Sequence, residues 1–234
     1  MSDQPSREVR NLNALLDVAK ALGAEMQLDN LLPVIISKTT EVIDAERSSL
    51  FIYDEETNEM WSKVAEGMDS KEIRFPVGVG IAGDVAKTLK TVNIPDAYKD
   101  NRFNPAFDKE TNYRTKSILC MPMLNNEGAL VGVVQVLNKK DGSTFDDKDE
   151  SLLEALSVQA GVAIQRARLL EAFVEKQRIQ ESLKLAADIQ MGMLPKDFPA
   201  FPNRDDFDLF ASIIPAKEVG GDFYDFFLID DDHL

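Results

Sequence analysis

The 234-residue chain has one cysteine and one histidine, and each scarcity removes a class of chemistry. With Cys120 alone there is no intrachain disulfide, which fits a reducing, cytoplasmic setting. With His233 alone, beside the C-terminal Leu234, there is no His-based triad, no His-rich zinc site and little imidazole acid–base chemistry. Basic residues are also few: 26 Lys and Arg stand against 41 Asp and Glu, a formal net charge of −15. A surface that negative repels nucleic acid and anionic lipid, so neither is expected as a partner. No apolar run approaches the ~18 residues of a membrane span. The polar start MSDQPSREVRNL is unlike a signal peptide. Any chemistry must rest on carboxylates, hydroxyls, backbone amides and a hard metal. What is plentiful is hydrophobic material, 44% of the chain, enough for a real core.

The elements follow from periodicity. Residues 6–24 read as an amphipathic helix with Val9, Leu12, Leu16 and Ala19 in a stripe too narrow for a domain core and suited to a partner helix. A second helix covers 29–44. Strands are expected at 48–53, 60–65 and 72–77, the first two joined by the turn Asp54–Asn58. Gly78-Val-Gly80 breaks into a helix over 81–89. After Thr91–Asp96 comes a long polar stretch, 97–116, with Phe103 and Phe107 as anchors; such loops are usually functional or disordered. Strands 117–124 and 130–138 flank a turn at Asn125–Gly128. From Asp146 to about Met193 the pattern is helical. Leu169, Ala172, Lys176, Ile179, Leu183, Ala186, Gln190 and Met193 fall on heptad a/d positions, which predicts a dimeric coiled coil. Pro195 ends the helix. Residues 195–205 read as a linker, and 207–214 and 223–229 as strands. Two strands cannot stand alone, so the chain is expected to stop early in a second domain.

Gly80-Ile-Ala-Gly83, Val85-Ala86, Asn93–Tyr98, Arg102-Phe103, Asp108, Thr111, Thr115 and Ile118–Cys120 resemble the GAF domains of cyclic-nucleotide phosphodiesterases and cyanobacterial adenylyl cyclases. Asn138, Lys139, Phe145, Asp149 and Glu150 match that family's NKFDE signature. The resemblance implies an α+β fold, a six-stranded antiparallel sheet flanked by helices, and a cyclic-nucleotide ligand. The implied ligand-binding residues are Ser49, Ala65, Glu66, Ile81, Ala82, Arg102, Asp108, Thr111, Thr115 and Gln135. In the family Asp108 lies at the purine, Ser49 faces the base, and Lys139 and Asp149 pair to tie the last strand to the outgoing helix. This sequence departs from its relatives at Ala65, where some have a stacking aromatic, and at Arg102, where many have a small polar residue. The physical reading agrees on the phosphate side. The free N–H groups of Ile81 and Ala82 open a helix, and helix N-termini favour anions. Thr111 and Thr115, one turn apart, would share a helical face.

Ala187-x-x-Gln190-x-x-Met193-Leu-Pro195 with Pro215-Ala-x-Glu218-Val-Gly-Gly-Asp-Phe-Tyr-Asp225 is similar to the start of bacterial SpoIIE-like PPM serine/threonine phosphatases. That family holds two Mg²⁺ or Mn²⁺ ions on aspartates to activate water. Asp222 matches the first of those ligands, and the remaining motifs would follow Leu234. No catalytic residue is therefore assigned, and the chain itself is expected to be inactive.

The resulting organisation is an N-terminal helix (1–28), a GAF sensor (29–150), a signalling helix or coiled coil (151–194), and a linker with a truncated phosphatase start (195–234). The expected role is the cytoplasmic, homodimeric sensor region of a phosphatase acting on a phosphoprotein. It would bind a cyclic nucleotide, cAMP ahead of cGMP. The alternative is a ligand-free GAF dimerisation module. Redox or light sensing through a GAF cofactor lacks its usual Cys or His anchor. Cys120 reads as a buried strand residue, Trp61 and Met60 as packing, and Asp230–Asp232 as a solvated turn.

Overall fold

A computed structural model of the chain describes residues 7–62, 73–230 and 233–234. Two compact units divide it, Met1–Leu170 and Glu171–Leu234.

In the first unit the chain runs α1 (Arg7–Ala24), α2 (Leu28–Ile43), β1 (Ala45–Asp54), β2 (Glu59–Ser62), β3 (Ile73–Pro76), α3 (Gly80–Thr88), β4 (Val92–Ile94), a 3-10 turn (Ala97–Lys99), α4 (Ala106–Thr111), β5 (Ile118–Leu124), β6 (Leu130–Lys139) and the start of α5 (Asp147–Met193). The strands form one antiparallel sheet in the order β3-β2-β1-β6-β5-β4. Both expected turns form for local reasons. Asp54 Oδ1 accepts the amides of Glu56 and Thr57 at 3.1 and 3.3 Å. Asn125 Oδ1 accepts those of Glu127 and Ala129 at 2.9 and 2.8 Å. Asx side chains commonly fold turns in this way.

Period-two alternation sorts the strands onto two faces. Leu50 and Ile52 of β1, Leu119 and Met121 of β5, and Val134 and Val136 of β6 meet α1, α2 and α5 in an aliphatic core. Phe51, Ile118, Cys120 and Val133 point the other way and pack with Ile81, Val85 and Ala86 of α3. Cys120 is fully buried there, and burial pushes its thiol up, as expected for a packed strand residue.

The head of α5 is fixed before the helix leaves the sheet. Asp146 Oδ1 accepts the amides of Lys148 and Asp149, both at 3.0 Å, and Asp149 Oδ2 accepts the amide of Asp146 at 2.9 Å. This reciprocal cap satisfies first-turn donors, and Asp147, Asp149 and Glu150 suit the positive end of the dipole. Further along α5, Gly161 lies against the Leu124 carbonyl, where a Cβ would collide with that backbone. Arg166 reaches the end of α1, donating to the carbonyls of Leu22 at 2.7 Å and Glu25 at 2.6 Å. Arg168 donates to the Tyr53 carbonyl at 2.8 Å.

The structure adds detail to two expectations and corrects a third. The stripe Val9–Leu12–Leu16 is exposed, while Val18 and Leu22, on another side of α1, join the domain core. There they share the core with Leu31, Leu32 and Ile35 of the neighbouring α2. The short β4 completes the sheet edge, although only the family resemblance and no periodicity announced a sixth strand. Strands expected at 207–214 and 223–229 do not form; both segments lack regular secondary structure. A strand is stabilised by a neighbouring strand, and among the described residues neither segment has one. Ile214 is 90% exposed and Phe227 67%, so neither segment buries an apolar face.

The second unit holds the end of α5 and the segment after it. Gln190 makes a reciprocal pair with Gly220: its amide donates to the Gly220 carbonyl at 2.7 Å and its oxygen accepts the Gly220 amide at 2.9 Å. Tyr224 donates its hydroxyl to the Pro195 carbonyl at 3.2 Å. Gln190, expected on the coiled-coil seam, is thus engaged within its own chain.

Candidate functional site

The face of the sheet opposite α1, α2 and α5 is not filled. Between it, α3 and the loop carrying α4 lies a cavity of about 540 Å³, within the range of small-molecule sites. Its floor is set by register. Ser49 of β1 faces Gln135 of β6 as a cross-strand pair, with Arg47 opposite Leu137 and Phe51 opposite Val133. Alternation therefore brings Arg47, Ser49 and Phe51 to the cavity together. Among the described residues the Ser49 hydroxyl and the Gln135 amide have no hydrogen-bond partner.

One wall is the start of α3. Gly80, at φ 68°, adopts the left-handed conformation that lets the chain turn into the helix. Val79 caps the helix without a side-chain hydrogen bond, and the first turn, including Ile81 and Ala82, borders the cavity. First-turn N–H groups lack intrahelical partners.

The opposite wall is the polar stretch 97–116, which is ordered by charge and hydroxyl contacts. Arg102 grips Asp100 in a fork, Nε to Oδ1 at 2.9 Å and Nη2 to Oδ2 at 2.6 Å, and reaches Asp84 of α3 through Nη1 at 2.6 Å. The Asp100 hydrogen bond, with that of Asp84, drives the Arg102 pKa further up. Asp108 is buried. Its Oδ2 accepts the Thr115 amide at 2.7 Å and the Tyr98 hydroxyl at 3.0 Å, and its Oδ1 accepts the Thr115 hydroxyl at 2.7 Å. Tyr98 packs against Phe103 at a tilt of 55°, ring centroids 5.1 Å apart.

Eight of the ten residues expected at the ligand border this cavity: Ser49, Ile81, Ala82, Arg102, Asp108, Thr111, Thr115 and Gln135. Ala65 and Glu66 lie outside the described residues. The geometry differs from the expectation in three respects. Thr111 and Thr115 do not share a helical face, because Asn112 at φ 49° ends α4 between them. Thr111 donates to the Phe107 carbonyl at 2.8 Å, leaving its hydroxyl as an acceptor only. Asp108 and Arg102 border the cavity with their charges already met by protein partners, so both hold the loop in place. Reading a base through the Asp108 carboxylate would require breaking its bonds to Thr115 or Tyr98.

Sequence reasoning missed Arg47 and Tyr113. Among the described residues three arginines border the cavity, Arg47, Arg74 and Arg102, against one carboxylate, Asp108. Arg74 is paired with Asp54 and Arg102 with Asp84 and Asp100. Among the described residues no carboxylate lies within ion-pair distance of Arg47, although its charge helps lower the Glu46 pKa; its guanidinium lies 3.9 Å from the centre of the Tyr113 ring. Two-residue alternation from Ser49 was the signal that could have found Arg47.

Below the cavity the NKFDE residues make a brace. Lys139 donates to both Asp149 oxygens at 3.0 and 2.7 Å, with 9% and 3% of the two side chains exposed. Asn93 of β4 donates to Glu150 at 2.7 Å and to the Phe145 carbonyl at 3.1 Å. In the second unit Asp222 is exposed, and the described residues contain no group of three acidic, His or Cys side chains able to hold a metal. They do not form a metal centre.

The family of GAF domains matches residues 27–164. A dual 3',5'-cyclic-AMP and -GMP phosphodiesterase 11A of Takifugu rubripes is 38% identical over 169 residues, 67% of this chain and 19% of that protein. A probable 3',5'-cyclic phosphodiesterase, pde-5, of Caenorhabditis elegans is 35% identical over 192 residues, 76% of this chain and 25% of that protein. The chain thus spans a quarter or less of the length of these relatives. Among solved structures, the GAF domain of a Coxiella burnetii phosphoenolpyruvate-protein phosphotransferase superposes with a TM-score of 0.63 at 22% identity, over 71% of this chain and 99% of that one. A free methionine-R-sulfoxide reductase from Neisseria meningitidis superposes with a TM-score of 0.60 at 16% identity, over 72% of this chain and 96% of that one. At such identities the likeness is one of fold.

Proposed function

The chain belongs to the GAF domain family, and from that premise we propose that it is a regulatory sensor that binds a cyclic nucleotide between the sheet and α3. The observation that carries the reading is the set of polar cavity groups with hydrogen-bonding capacity left unused among the described residues. The Ser49 hydroxyl and Gln135 amide lie on the floor, the Arg47 guanidinium beside them has no carboxylate within ion-pair distance, and the uncapped first turn of α3 borders the same space. Polar groups for a base or ribose and donors for a phosphate are what a purine cyclic nucleotide requires. Relatives named as cyclic-nucleotide phosphodiesterases support the ligand class. A cavity of this size argues against the ligand-free module. The order cAMP before cGMP stays an expectation from sequence; no contact of the spent Asp108 carboxylate favours it.

Exposed Leu169, Ile179, Leu183 and Met193 on α5, each at a heptad position, support a homodimer through that helix. The phosphatase context rests on the sequence motifs of Ala187–Pro195 and Pro215–Asp225 alone. It would make the sensor the input to a metal-dependent serine/threonine phosphatase acting on a phosphoprotein.

Titration calorimetry of the chain with cAMP and with cGMP tests the ligand. A saturable heat with either nucleotide is the expected result. No heat and no thermal shift at millimolar concentration of both would sink the reading.

A further inference from the structure

The loop that walls the cavity and the head of α5 are held by two successive residues at the end of one strand. Asn138, at φ 50°, uses the whole of its side-chain amide on that loop and on β1. Its oxygen accepts the amides of Lys116 and Ser117 at 2.7 and 3.1 Å. Its nitrogen donates to the Arg114 carbonyl and to Glu46 Oε2, both at 2.9 Å. Lys139, the next residue, is the buried partner of Asp149 at the first turn of α5. On the cavity side, Tyr113 carries Arg47 on its ring and donates its hydroxyl to Glu46 Oε2 at 2.8 Å. One carboxylate oxygen therefore receives both the cavity wall and Asn138.

We propose that Tyr113, Glu46 and the Asn138–Lys139 dipeptide form a mechanical link by which occupancy of the cavity at Arg47 reaches the head of α5. The link deepens the sensor reading and rests on it only for the nature of the occupant. An anionic group approaching Arg47 competes with the Tyr113 ring for the same guanidinium. Displacing the ring draws the Tyr113 hydroxyl away from Glu46 and leaves that oxygen to Asn138. The Asn138 amide is at its full hydrogen-bonding capacity, so it cannot follow Glu46 without loosening a bond to 114–117. Any rotation of its backbone is passed to Lys139, whose ammonium is held by Asp149. Close packing and a buried ion pair favour discrete arrangements over gradual yielding. Hydrogen bonds from Asn138 and Tyr113 also hold the Glu46 carboxyl below its ordinary range, so it stays an acceptor at neutral pH. The size of the coupling equals the ligand's preference for one arrangement over the other.

Tyr113→Phe separates the parts, because it keeps the ring on Arg47 and removes only the hydroxyl. In the ligand-free chain, NMR should show shifts in the Asn138 side-chain amide and in the backbone amides of Lys139 and Asp149. Shifts confined to Glu46 and residues 112–115, with Lys139 and Asp149 unmoved, would overturn the link. Glu46→Gln, which leaves one oxygen acceptor, should perturb the same distant residues and serves if the first variant folds poorly. With cAMP or cGMP, Tyr113→Phe should weaken binding by no more than about tenfold while losing most of the ligand-induced shift at Asp149. An undiminished shift there contradicts the link. If the wild type binds neither nucleotide, the sensor reading falls and the ligand-free arm still decides the link.

Discussion

The two faces of one sheet are built for different ends. The face under α1, α2 and α5 is closed by aliphatic side chains, with Leu153 and Ile164 fully buried. The face under α3 and α4 alternates apolar residues with Arg47, Ser49 and Gln135, and leaves a cavity of about 540 Å³. The same strands serve both, because successive side chains point to opposite sides. Stability is concentrated on one side, which frees the other to keep polar groups whose hydrogen bonds are not all met among the described residues. The Lys139–Asp149 pair stands where the two are joined.

Substitutions can break this division. The largest effect is expected at the joint: Lys139→Met leaves a buried carboxylate without its cation and should cost about 3–5 kcal/mol, read by denaturant unfolding. On the packed face, Leu153→Ala should cost about 2–5 kcal/mol. On the cavity floor, Gln135→Ala should change stability by no more than about 0.5 kcal/mol while weakening nucleotide binding in calorimetry. Equal stability losses at Leu153 and Gln135 would erase the distinction between the faces. A last contrast lies within the cavity wall, with its smallest effect at Thr111. Thr115→Ala removes a hydrogen bond to the buried Asp108 and should destabilise by about 1–3 kcal/mol, whereas Thr111→Ala, half-exposed, should stay within about 0.5 kcal/mol.

Most of the sheet was readable from sequence because its strands and turns carry local signals, such as Asp54 and Asn125 folding their own turns. β4 was not, since three residues at a sheet edge carry too little periodicity. The segment FDLFASII misled in the opposite direction, because apolar residues propose a strand and only a partner strand makes one. Within the site, Gly80 was recoverable from local pattern and Ser49 from the family resemblance. The positions of Thr111 and Thr115 were not, since a left-handed Asn112 intervenes. The meeting of Tyr113 with Glu46 depends on residues 67 positions apart, beyond the reach of any periodicity.

Arg166 has a consequence for synthesis. The carbonyls it caps at the end of α1 were made 144 and 141 residues earlier. On the ribosome α1 emerges before the sheet and can pack on α2 early, yet this cap cannot form until α5 has been translated. Co-translational folding of the domain is therefore completed only when its far end arrives.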